Sequence, residues 1–291
     1  MTGPTGASRA LPAWFLQFCT PGADRLALLA QVLHAAGVPF ELVKTGAFRH
    51  VQVRPGRAAK PEAGEKLVLA HYDRVAGSPG ANDNGASVLA LVEYLRQPRK
   101  GLPLRVVFTD GEELPAGVPA SDQGAFALAH HWGPLPGVFP VVLDMTGIGD
   151  TVVLGHLGEH LIRKTRPGGP PTDLDAYARQ RLGALRWLAT CGAGDTLEVN
   201  TPFSDDLGLF LAGIPAVQVS LLPRRQALAY RKAREAPGEL EGREAGPLPP
   251  AWRTMHTPDD KPENLTNESR VLVAQLLDRL EVFPSSGFRG P

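Results

Sequence analysis

The chain has 291 residues, 43% hydrophobic and 21% charged, and its 30 basic and 30 acidic side chains cancel to a formal charge of zero. That balance is typical of a packed globular protein, argues against disorder, and gives no electrostatic reason to expect a nucleic acid or an anionic membrane as partner. Thirty-two glycines and 28 prolines imply many turns rather than a coiled coil or helical repeat, and Cys19 and Cys191 are too few for a disulfide framework, leaving at most one bridge.

In chain order, Leu11 to Phe18 is a short apolar run broken by Pro12 and Gln17. No small-residue cleavage site follows it, so a helix packed on the domain is expected rather than a signal peptide. No stretch approaches the roughly 20 apolar residues of a membrane span, and the expectation is a cytoplasmic protein. Arg25 to Ala36 has helical periodicity and stops at Gly37-Val38-Pro39, before the alternating Phe40 to Val43. After a polar, Pro/Gly-rich stretch from Arg54 to Gly64, Leu67-Val68-Leu69-Ala70 has the composition of a strand covered on both faces. Helix is predicted over Gly85 to Leu95, strand over Leu104 to Thr109, helix over Gln123 to His130 and strand over Val138 to Leu143. Beyond these come a strand at Thr151 to Leu154, a helix at Asp175 to Leu188, and a helix-strand pair at Gly208 to Ala212 and Ala216 to Ser220. Residues 223–253, rich in Arg, Glu, Gly and Pro, read as a flexible surface insertion leading into His256. Asn267 to Val282 reads as a closing helix, and residues 1–10 and 284–291 as loose termini. This alternation predicts one α/β domain over residues 1–291, a three-layer α/β/α sandwich around a mostly parallel mixed sheet.

Acids and histidines fall where the predicted strands end, the edge at which an open α/β sheet holds its ligand. His71 and Asp73 close one strand, Asp110-Gly111-Glu112-Glu113 a second and Asp144 a third. Asp83 lies in the turn Asn82-Asp83-Asn84-Gly85, and His256 stands in Met255-His256-Thr257-Pro258-Asp259-Asp260. Any one of these has a bland reading as a cap, turn former or satisfied polar group. Together, without basic partners, they repel one another unless a cation neutralises them, and a mixed His/Asp/Glu set suits zinc.

In wording and order these five motifs resemble the M28 zinc metallopeptidases of the aminopeptidase Y type, from about Val43 to the last helix. The resemblance implies two zinc ions per chain. It places His71 and Asp144 on one and Glu113 and His256 on the other, with Asp83 bridging twelve positions after His71. Glu112 would be the general base, Asp73 would orient His71, and Asp260 would support His256. The implied activity is removal of N-terminal residues from peptides with a free N-terminus. Two segments depart from the family pattern: Ser204-Asp205-Asp206 stands where Ser-Asp-His is usual near the specificity pocket, and Leu114 to Pro119 replaces a Gly-rich continuation. The first leaves substrate preference open, and the second the shape of its loop.

Rival readings are set apart by particular residues. The related glutaminyl cyclases, with one catalytic zinc, are approached by Phe108-Thr109-Asp110-Gly111-Glu112-Glu113 and by His256 to Asp260 with Glu263-Asn264-Leu265. Met255 differs from the tryptophan usual there, and Asn82 to Gly85 reads better as peptidase. His156-Leu157-Gly158-Glu159-His160 satisfies H-x-x-E-H, yet Gly155 and Gly158 suit a turn better than a helix. A non-catalytic binding protein on the same fold would be expected to have lost ligands, and here all are present. His130-His131-Trp132 and the basic run Arg224, Arg225, Arg231, Lys232 and Arg234 read as a helix end and a solvated face.

Overall fold

Among the described residues, runs of β-branched and leucine side chains pair into one eight-stranded sheet in the computed structural model, which describes residues 10–53, 61–97, 104–155, 173–192, 196–234 and 248–288. The strands are β1 (Phe40–Thr45), β2 (Phe48–Val53), β3 (Lys66–His71), β4 (Arg105–Thr109), β5 (Phe139–Leu143), β6 (Thr151–Gly155), β7 (Leu197–Val199) and β8 (Val217–Leu222), in the order β1-β2-β4-β3-β5-β8-β6-β7. The centre, β4-β3-β5-β8, is parallel. β2 joins β4 and β6 joins β8 antiparallel, so the sheet is mixed. His71 pairs with Thr109 in register, which brings the ends of β3 and β4 side by side.

Alternation along β3 divides the core. Val68 and Ala70 face one layer, built from α1 (Ala13–Phe18), α2 (Arg25–Ala35), α3 (Ala86–Leu95), α5 (Leu174–Thr190) and α8 (Asn267–Val282). Leu67 and Leu69 face the other, where α4 (Gly124–Trp132) and α6 (Asp205–Leu211) pack. A third cluster joins Val153 and Leu222 to Tyr230 of α7 (Arg224–Arg234) and to Trp252. Side-chain oxygens cap two of these helices: Asp24 accepts from the Ala27 amide at 3.0 Å, and Thr266 from the Ser269 amide at 3.4 Å.

Several expectations are revised. β2 escapes a pattern search because His50 and Gln52 interrupt it, yet both are buried. The flexible insertion over 223–253 is corrected over its first third, because residues 224–234 are helical: Ala227 and Tyr230 lie three apart and bury one face, while arginines favour helix and take the solvent side. Residues 285–288 form a short 3₁₀ turn rather than a loose end, and Phe288 stacks on Phe139. Cys19 and Cys191 are both free, and burial pushes the Cys19 thiol up to about 12. Among the described residues no helix is long and apolar enough to cross a membrane. The His156 to His160 motif lies outside the described residues.

Candidate active site

His71 ends β3, fully buried, with carboxylates on both sides of its ring. Nδ1 lies 3.4 Å from Asp73 Oδ1, while Nε2 lies 3.3 Å from Asp83 Oδ1 and 3.6 Å from Asp144 Oδ1. Neither ring nitrogen makes a hydrogen bond of good geometry, and Asp144 Oδ1 has no hydrogen-bond partner among the described residues. On the far side of Asp83 a second group forms: His256 Nε2 is 3.2 Å from Asp83 Oδ2 and 2.9 Å from Glu113 Oε2. The two oxygens of Asp83 therefore face two different half-sites. His71, Asp83 and Glu113 also each offer one atom within 4.8 Å of the others.

The electrostatics suit a bound cation. Burial opposes a charge on His71, but Asp144, Asp73 and Asp83 outweigh it and hold the imidazole's proton affinity well above its ordinary value. Hydrogen bonds donated to the Asp83 and Glu113 carboxylates raise His256 to about 10. Burial raises Glu112, Glu113 and Asp144, whereas for Asp83 the two imidazoles overcome burial and hold the carboxyl well down. Orphaned buried nitrogens amid carboxylates, with protons held where a cation would serve, fit a site for divalent metal ions.

Backbone amides aim the side chains. Asp73 Oδ1 and Oδ2 accept the Glu112 and Glu113 N–H groups at 3.3 and 3.0 Å, so one carboxylate fixes both glutamates beside His71. Gly111 makes the bend before them at φ +79°, where a Cβ would lie 2.2 Å from the Phe48 ring. Glu112 is nearly buried, and Gln123, which sequence reasoning missed, donates to its Oε1 at 3.2 Å. Asp260 corrects the expectation that it supports His256: its carboxylate accepts the Asn82 and Asp83 amides at 2.8 and 3.0 Å and so fixes the turn carrying Asp83. Asn84 ties that turn to the end of β5 through the Leu143 carbonyl at 2.7 Å. Met145 and His256 hold left-handed backbone at φ 50° and 61°, uncommon for residues with a Cβ and frequent at functional sites.

Arg25 braces the arrangement from α2. Its guanidinium donates to the carbonyls of Phe18, Tyr72, Asp73, Pro79 and Gly80 at 2.7 to 3.1 Å, gathering the loop between His71 and Asp83. The site opens into a cleft of about 580 Å³ with Asp83, Glu112, Glu113, Asp144 and His256 in its lining, walled by Leu114 to Val118, Asn200 to Phe203, Leu248 and Met255. The departing segment Leu114 to Pro119 is therefore largely a cleft wall. Ser204-Asp205-Asp206 is not: all three are buried, Thr109 bonds Asp205, and burial lifts Asp205 to about 7 and Asp206 to about 8.

A mixed α/β/α sheet with acids and imidazoles gathered where its parallel strands end is the frame of a ligand-binding enzyme cleft. The chain belongs to peptidase family M28, with residues 53–278 matched. A zinc aminopeptidase from Bacillus subtilis superposes with a TM-score of 0.52 at 20% identity, over 81% of this chain and 49% of that one, so the chain spans about half its length. A glutaminyl cyclase from an Acidobacteriales bacterium gives a TM-score of 0.58 at 17% identity, over 96% and 97% of the two chains. In sequence, 93 residues are 38% identical to a vacuolar membrane protease of Arthroderma otae, 30% of this chain and 8% of that protein.

Proposed function

We propose that the protein is a zinc aminopeptidase that removes residues from peptides with a free N-terminus. The observation that carries the reading is the position of Asp83, one oxygen toward His71 and Asp144 and the other toward His256 and Glu113. His71, Asp83 and Asp144 would hold one zinc ion, and Asp83, Glu113 and His256 the second. When bound, zinc supplies Lewis acidity, polarising a carbonyl and making water acidic enough to lose a proton near neutral pH.

The chain's own groups do the rest. Glu112 lies beside the ligands, held by Gln123 and by the Asp73 link to its amide. Burial raises its affinity for a proton well above a free carboxyl's. It takes a proton from water and returns it to the leaving amine, work worth roughly 10²- to 10⁴-fold in rate. A free α-amine of the substrate could meet the metal these acids would hold or Glu112 beside it, which favours exopeptidase over endopeptidase action. Glu112→Gln is expected to keep its zinc and lose turnover by that factor, measured by metal analysis and hydrolysis of aminoacyl anilides. Loss of zinc instead would make Glu112 a ligand.

Glutaminyl cyclisation is the second reading, favoured by the compact trio His71, Asp83 and Glu113, which suits a single ion. One zinc per chain with pyroglutamate formation from glutaminyl peptides would select it. Two zincs with amine-releasing hydrolysis would select the peptidase.

A further inference from the structure

Four carboxylates, Asp83, Glu112, Glu113 and Asp144, contribute to the lining of the cleft, all but Glu112 of them proposed metal ligands, and the cationic side chains among the described lining residues are His256, already facing Asp83 and Glu113, and Arg234. Arg234 ends α7, and its guanidinium carbon stands 6.0 Å from the centre of the Tyr230 ring. That ring is fixed in turn: it meets Trp252 edge-on at 5.4 Å, and its hydroxyl donates at 2.9 Å to the carbonyl of Asn200, another cleft residue. Among the described residues Arg234 makes no ion pair. A cation seated on an aromatic face, with no carboxylate among the described residues paired to it, thus opens on the same cleft as the acids proposed to hold metal.

The complement of such a cleft is a short peptide with its N-terminal end at the proposed metal site and its carboxylate end toward the guanidinium, whose planar fork binds carboxylates in bidentate fashion. We infer that Arg234 is a specificity residue that binds the C-terminal carboxylate of short peptides and makes them the preferred substrates. This rests on the peptidase reading for the direction of the peptide. The volume of about 580 Å³ is that of a small-molecule site. A basic residue that merely complements the helix dipole would leave peptide choice untouched.

The test reads binding apart from turnover. Zinc-loaded Glu112→Gln protein, with and without Arg234→Gln, is titrated calorimetrically with Leu-Gly-Gly and with Leu-Gly-Gly-amide. The free acid is expected to bind tenfold or more tighter than the amide when Arg234 is present. Arg234→Gln removes the preference by weakening the acid alone, and Arg234→Lys, which keeps the charge without the fork, restores part of it. Equal binding of acid and amide, equal weakening of both by Arg234→Gln, or binding of neither overturns the inference. Wild-type protein assayed on leucine anilide and both peptides tests the peptidase reading separately. Failure to hydrolyse any of them refutes that reading, while the calorimetric comparison still decides the role of Arg234.

Discussion

His50 shows how a side chain away from the cleft holds the loop that bears Glu112. It is fully buried on β2, Nδ1 accepting the Asp110 amide at 3.2 Å and Nε2 meeting Thr45 Oγ1 at 2.8 Å, a pattern that needs the neutral ring protonated on Nε2. Burial lowers its pKa from 6.5 to about 4. Because the folded value lies below the unfolded one, no stability is lost above pH 6.5. As pH falls from 6.5 to 4 the unfolded chain takes up the proton first, and up to about 3 kcal/mol is lost. Urea midpoints at pH 7 and pH 4.5 are expected to fall further for the wild type than for His50→Gln, and equal falls would refute this. The same residue marks the limit of sequence reading. Acids at strand ends were legible because their clustering is costly without a cation, whereas His50, Gln123 and Asp260 act on backbone amides or on one neighbouring side chain, contacts that no spacing announces.

Arg25 is the corresponding case at the scale of elements. Helix α2 was legible from its leucines, but the periodicity gave no sign that a buried arginine on it would collect carbonyls from the loop after β3. Buried guanidinium hydrogen bonds are charge-assisted, and their loss leaves carbonyls without a donor. Arg25→Met is therefore expected to cost about 3 kcal/mol or more in chemical denaturation. It should also weaken zinc about tenfold or more in competition with a chromophoric chelator, with Arg25→Lys intermediate. Unchanged zinc affinity in a folded variant would confine Arg25 to stability. A different close approach fixes an element of the opposite layer: a Cβ on Gly124, at the start of α4, would lie 1.7 Å from the Asp110 carbonyl oxygen. The helix can thus pack against the loop bearing Glu112 only with glycine there.

For the whole molecule, the α/β/α layering was legible because the central strands are short all-apolar runs between helical periods. β7, three residues long, and α7, masked by its charge, were not. The core is continuous across most elements, and Lys66 at the start of β3 donates to the Leu280 and Glu281 carbonyls at the end of α8. Metal that binds only the folded protein stabilises all of it, by about 4 kcal/mol when free zinc is 1,000-fold above its dissociation constant. Chelation is expected to lower the thermal midpoint by several degrees and zinc to restore it, followed by calorimetry; no shift would mean that the site holds no tight ion. The proposed ligands run from His71 to His256, so they enter the site only when distant parts of the sheet and its flanking loops have closed. During synthesis on the ribosome, a chain that has not yet exposed His256 presents a row of mutually repelling acids. Capture of metal at the proposed site therefore falls late, as a checkpoint that only a nearly finished fold can pass.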